Sequence, residues 1–175
     1  MIVQPGVIEH IEGNRFSIGE LDGTSSDRCK TLAAALICAG LKAPIRSRIR
    51  HDLWVKLLGN VVFNPMSALT GATLEEMATH LETSAIARAV MAEADEVAVA
   101  LGIHLPLTID QRMDGARKVA AHKTSMLQDL ESGRPMELES VVGVVIELGE
   151  KLGLPMPHTK TLYSCTRLLS QVRAN

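Results

Sequence analysis

Three polar residues interrupt an apolar run at equal spacing. In residues 54–69, WVKLLGNVVFNPMSAL, Lys56, Asn60 and Asn64 recur every four positions among Trp54, Leu57, Leu58, Val61, Val62 and Phe63. Four residues of α-helix turn through about 400°, so each step drifts only about 40° and one ammonium and two carboxamides share a stripe. A helix that is apolar on every other side is normally buried, which sets the stripe against a cavity or another polar group rather than bulk water. Pro65 has no N–H for the carbonyl of Val61 and crowds that turn, so a kink or an end is expected just after Asn64. Spacing alone leaves two readings open. The three side chains face something polar together, or they satisfy one another in a core.

Two further segments carry candidate groups. In MELESVVGVVIELGEKLG, Glu137 shares a helical face with Val141, Val144, Val145 and Leu148, whereas Glu139 points with Gly143 and Glu150, so Glu137 is the acid expected to aim inward. The alternative is a first-turn carboxylate that complements the helix dipole. In HKTSMLQDLESG, Ser125 and Gln128 have capping-box spacing, so a helix is expected to start there. A helix N-terminus also attracts carboxylates, so cap and anion site can coincide at Ser125.

Other chemistries lack their residues. His10, His51, His80, His104, His122 and His158 form no HxxxH pair, and no metal site is expected. Arg46, Arg48 and Arg50 alternate like the exposed face of a strand, without the aromatics of a nucleic-acid surface. No two of the 13 glycines stand two residues apart, so GxGxxG cannot occur, and GxxxxGK[ST] is also missing. The sequence therefore offers no recognisable site for a dinucleotide or a triphosphate.

The elements that position these groups follow from composition and punctuation. The chain has 175 residues, 46% hydrophobic and 22% charged, as an ordinary globular protein does, but only 2% aromatic. Met, Ala, Leu and Val must then fill the core, which suits close-packed helices. A formal net charge of −2 gives no footprint for nucleic acid. Cys29, Cys38 and Cys165 are odd in number and lack CxxC spacing, so no disulfide framework is indicated and a reducing cytoplasm is the simplest home. The start, MIVQPGVIEH, is not that of a signal peptide. Residues 57–74 carry no charge, but Asn60, Asn64, Pro65, Ser67, Thr70, Gly71 and Thr73 would be costly in lipid, and a membrane span is rejected.

VIEHI and RFSIGE around Glu12-Gly13-Asn14 read as a β-hairpin. Helix is expected from Ser25 to Cys38, capped by Ser25 or Ser26 and stopped by Gly40, and APIRSRIR alternates like a strand. From His51 helices are expected over 51–64, 74–78, 82–101, 108–131 with a break near 123, 137–152 and 158–172, with Gly102, Gly133 and Gly153 as stops. A mixed fragment over residues 1–50 thus precedes an all-helical domain over 51–175. The fragment is too short to cover a sheet on both faces and reads as the tail of a larger α/β unit.

LWVKLLGNVVFNPMSALTGATLEEM, SMLQDLESGRPMELE and KLGLPMPHTKTLYSCTRLL strongly resemble the C-terminal half of ketopantoate reductases, the NADPH-dependent 2-dehydropantoate 2-reductases. PGVIEH, FSIGELDG and the helix after them resemble the end of that family's nucleotide domain, so the resemblance covers essentially the whole chain. It implies a mainly α fold, a multi-helix substrate domain like the C-terminal domain of 6-phosphogluconate dehydrogenase, behind a short α/β remnant with a hairpin. It also implies roles: Lys56 as general acid, Asn60 and Asn64 holding substrate, Ser125 helping to bind its carboxylate, and Glu137 supporting the site, with Glu139 as the alternative acid. GATLEEM lacks an asparagine that some members carry after the motif.

The implied chemistry is coherent. Hydride arriving at a ketone carbon leaves negative charge on oxygen, which a partly buried ammonium stabilises and protonates. Burial would lower the lysine pKa and a nearby carboxylate would oppose that shift, so Lys56 and Glu137 would form a tunable pair. Two carboxamides can fix hydroxyl and keto groups without adding charge. The implied partners are a small 2-oxoacid, the absent nucleotide domain that would carry NADPH, and a second copy paired through the unpartnered edges of residues 7–19. The chain alone is expected to bind no cofactor and to be inactive. The alternatives are a non-catalytic helical interaction module and a reductase of another small 2-oxoacid.

Overall fold

A computed structural model describes residues 2–10, 13–119 and 122–174. The chain divides into two compact units, Met1–Asp52 and Leu53–Asn175. The first unit opens on an antiparallel hairpin of β1 (Ile2–Gln4) and β2 (Val7–Ile8). The hairpin thus lies earlier than the one expected over 7–19. Pro5 fixes its own φ and Gly6 takes φ +80°, the pairing that a tight turn asks for, so Pro5-Gly6 turns the chain first. Glu12 of the expected turn lies outside the described residues.

RFSIGE pairs elsewhere. The N–H of Phe16 donates to the carbonyl of Lys42 (2.7 Å), that of Lys42 to Asn14 (2.6 Å), and that of Arg46 to Ile18 (2.7 Å). Arg15 lies opposite Lys42 and Ile18 opposite Ile45 in parallel sense, so APIRSRIR contributes a short parallel pairing rather than a full strand. Parallel partners need a crossover, and α1 (Asp27–Cys38) supplies it. Of the two candidate caps it is Ser26 that accepts from the N–H of Cys29 (3.2 Å). Gly40, at φ +82°, lets the N–H of Leu41 reach back to Leu36 (3.0 Å) and close the helix.

Helix α2 (Ile49–Thr70) starts two residues earlier than expected and runs on past Pro65. An interior proline costs a helix about 3 kcal/mol. Burial of every residue from Val61 to Ala68 offsets that cost, and the Ser67 and Thr70 hydroxyls donate to the carbonyls of Asn64 and Met66, both at 2.8 Å. Then follow α3 (Leu74–Thr79), α4 (Leu81–Ala100), α5 (Ile109–Lys118), α6 (Ser125–Glu131), a π turn (Glu139–Gly143), α7 (Val144–Lys151) and α8 (Pro157–Ala174). The break expected near 123 falls between α5 and α6. Helix α4 packs against α3, α5, α7 and α8 and forms the middle of the second unit.

The fold is therefore mainly helical, with one small hairpin. Its core is aliphatic and rich in methionine: Met66, Met77, Met91, Met113, Met126 and Met156 are buried with Leu58, Val61, Val62, Phe63, Val97 and Val145. No described helix is long and apolar enough to cross a membrane.

Candidate functional site

Helix α2 carries the polar stripe at a graded depth. Lys56 is exposed, Asn60 is half-buried and Asn64 is buried with 6% of its surface open, because the helix sinks into the bundle along its length. Lys56 is thus less enclosed than the partly buried ammonium expected. None of the three side chains has a hydrogen bond or ion pair among the described residues, so they do not satisfy one another. The carboxamide of Asn64 keeps a little contact with solvent despite its depth.

Ser125 occupies the first turn of α6 and is exposed, but it is not the cap. Thr124, buried at 5%, takes that place and accepts from the N–H of Leu127 at 3.2 Å. Gln128 donates instead to the carbonyl of Lys123 at 3.0 Å, so no capping box forms at Ser125. The cap moved by one residue because Thr124 is held from below by the buried hydroxyl of Ser67 on α2. Ser67 also donates to the carbonyl of Asn64 at 2.8 Å. Asn64 and Ser125 are thereby brought to neighbouring turns of two helices joined by hydroxyls.

Glu137 is exposed rather than aimed inward, and Leu138 beside it fills the core. The π turn is the reason: an i→i+5 loop adds a residue and rotates everything before it by about 100° relative to α7, so a face extrapolated backwards from Val145 misses. Glu139 is committed, accepting the Tyr163 hydroxyl at 2.6 Å. That leaves Glu137 the uncommitted acid of the two. No hydrogen bond or ion pair joins it to α2 among the described residues.

One residue absent from the sequence reading lies against the stripe. Arg112 of α5 packs on the backbone of Gly59, where a Cβ would overlap Nη2 and come within 2.5 Å of Cζ and Nε. Burial draws this guanidinium's pKa below its usual value, and its Nε is buried without a partner among the described residues. The signal was present in LTIDQRMDGARK: Ile109, Met113 and Ala116 form an apolar stripe, and Arg112 sits within it at i+3.

The family described as ketopantoate reductase PanE/ApbA C terminal matches residues 48–170. The chain belongs to this family. A 2-dehydropantoate 2-reductase of Mesorhizobium japonicum is 47% identical over 97% of this chain and 52% of its own length. The crystal structure of the 2-dehydropantoate 2-reductase from Methylococcus capsulatus superposes with a TM-score of 0.89 at 34% identity, covering 99% of this chain and 56% of that one. D-mandelate dehydrogenase, in a ternary structure with NADH and anilino(oxo)acetate, shares the fold at a TM-score of 0.83 and 18% identity, over 95% of this chain and 70% of its own. The chain spans about half the length of the reductases it matches.

Proposed function

We propose that this chain supplies the proton donor and the acid-binding groups of an NADPH-dependent 2-dehydropantoate 2-reductase. Lys56 donates the proton, Asn60 and Asn64 hold the hydroxyl and keto groups, Ser125 binds the carboxylate, and Glu137 supports the ammonium. One observation carries the reading: all five side chains are without a hydrogen bond or ion pair among the described residues. Polar groups that a fold leaves uncommitted on and beside a buried helix are available to a ligand. The interaction-module reading required the stripe to satisfy itself, and its side chains are unbonded among the described residues.

The described residues do not fit a dinucleotide. The parallel pairing around α1 has no glycine-rich turn, and GxGxxG is absent from the sequence. We assign residues 1–50 to the end of a Rossmann-type nucleotide domain, 51–175 to the substrate domain, and cofactor binding to sequence outside this chain. Reduction of the ketone by a nicotinamide places a hydride on carbon; the chain's own part is to stabilise the charge left on oxygen and to protonate it from the Lys56 ammonium. The setting is pantothenate synthesis in the cytoplasm. Exposed Val7, Ile8 and Phe16 favour self-association through residues 7–19, and concentration-dependent light scattering of the chain is expected to show it.

The test is Lys56→Ala in the complete reductase. Turnover of 2-dehydropantoate should fall about 10²–10⁴-fold, with NADPH affinity within about threefold of the parent. Turnover within tenfold of the parent removes Lys56 from the mechanism. The 175-residue chain alone should neither bind NADPH nor turn substrate over.

A further inference from the structure

The Nε of Arg112 is the only buried side-chain nitrogen or oxygen among the described residues that lacks a hydrogen-bond partner. No carboxylate pairs with this guanidinium among the described residues, and its Nη atoms keep contact with solvent. An arginine stays charged, so a half-buried and unpaired one is costly unless an anion completes it. Its place is fixed by Gly59, since any side chain there would occupy the volume of the guanidinium.

Gly59 stands one turn after Lys56, at i+3, where helical neighbours lie about 5–6 Å apart. Around the α2 axis Gly59 lies about 60° to one side of Lys56 and Asn60 about 40° to the other. The order of positions across the helix is thus Gly59, on which Arg112 rests, then Lys56, then Asn60, so a guanidinium and an ammonium belong to neighbouring positions on α2, followed by a carboxamide. A 2-oxoacid presents a carboxylate and a keto oxygen on adjacent carbons, which asks for an anion-binding group at one helix position and a proton donor at the next.

We propose that Arg112 is a carboxylate anchor, gripping the acid group of the 2-oxoacid so that its keto oxygen falls to Lys56. This deepens, and rests on, the function proposed above. Neutral Ser125 can hydrogen-bond a carboxylate but cannot balance its charge, whereas a guanidinium does both through its planar fork.

The test uses the complete reductase with Arg112→Met, Arg112→Lys and Gly59→Ala, read by calorimetric binding of 2-dehydropantoate, by kcat/KM, and by Tm without ligand. An anchor predicts that Arg112→Met weakens binding at least fivefold and lowers kcat/KM at least as much, while the ligand-free Tm does not fall, because removing an unpaired buried charge relieves the fold. Arg112→Lys should restore part of the affinity. Gly59→Ala, which displaces the guanidinium without deleting it, should weaken binding like Arg112→Met. A lowered ligand-free Tm in Arg112→Met, or a loss of affinity below fivefold, overturns the anchor and leaves the Lys56 reading intact. If the parent enzyme does not bind 2-dehydropantoate, the functional reading fails, and the same thresholds are applied with pyruvate. A parent that binds neither acid overturns the anchor as well.

Discussion

The hydroxyl of Ser67 on α2 shares a hydrogen bond with the hydroxyl of Thr124, which caps α6, and both residues are buried. This one contact fixes the start of the helix that carries Ser125 to the turn that carries Asn64. Ser67→Ala and Thr124→Val should each lower unfolding stability by about 1–2 kcal/mol, the usual cost of a lost cap or a stranded buried hydroxyl. The double variant should lose less than the sum by at least about 0.5 kcal/mol, since each single change already breaks the shared bond. Urea unfolding of the four proteins measures it, and strict additivity would show that the hydroxyls act separately.

Glu93 is a carboxylate from α4 that serves as cap to α8. Its oxygens accept from the N–H and Nδ1 of His158 at 2.9 and 2.7 Å and from the N–H and Oγ1 of Thr159 at 2.9 and 2.6 Å. Burial alone would raise its pKa, but these hydrogen bonds outweigh it and hold the carboxyl below its usual value. A depressed folded pKa means that stability is present in full above the unfolded value near about 4.3 and drains away as pH falls below it. Glu93→Gln should cost about 2 kcal/mol at pH 7, and less as the pH drops through that range. An unchanged difference between pH 7 and pH 3 would contradict this.

Tyr163 is the only tyrosine in the chain, so its phenol can be titrated by absorbance without assignment. The hydrogen bond that it donates to Glu139, with a smaller contribution from burial, raises its pKa above the usual value. Glu139→Gln should bring the titration down towards about 10 and leave turnover of the complete enzyme nearly unchanged. Glu137→Gln should do the reverse, leaving the phenol where it is and lowering turnover. An exchange of these effects would assign the site acid to Glu139.

Gly149 of α7 faces the buried Met156, and a Cβ there would come within 2.7 Å of its Cγ and 3.5 Å of Val97 on α4. Gly149→Val should therefore destabilise the protein by about 1–3 kcal/mol through overpacking. Met156→Ala, which empties that volume, should soften the penalty in the double variant. A neutral Gly149→Val in thermal unfolding would show that the helices separate freely here.

The helices were legible because their limits are written in local chemistry. Ser26 at a cap and glycines at 40, 102, 133 and 153 end segments whatever packs on them. What overrode local rules was tertiary: burial carried α2 through Pro65, and Ser67 chose Thr124 over Ser125 as a cap. The hairpin was misplaced because two glycine turns competed and Pro5-Gly6 turned first. In the site, the spacing of Lys56, Asn60 and Asn64 exposed a shared stripe, but its depth depends on where α2 enters the bundle. The orientation of Glu137 could not be extrapolated across a π turn, which no residue type announces. Arg112 escaped notice because a lone arginine in an apolar stripe looks like a long side chain reaching for water, until Gly59 shows what it rests on.

The thioether core has a chemical consequence. While the helices are closed, Met77, Met91, Met113, Met126 and Met156 have almost no surface within reach of an oxidant. Each transient opening exposes them, and a sulfoxide formed then is too polar to return to the interior. Peroxide would thus convert a reversible excursion into permanent loss, and the lifetime of this protein under oxidative stress would be set by how often the bundle opens.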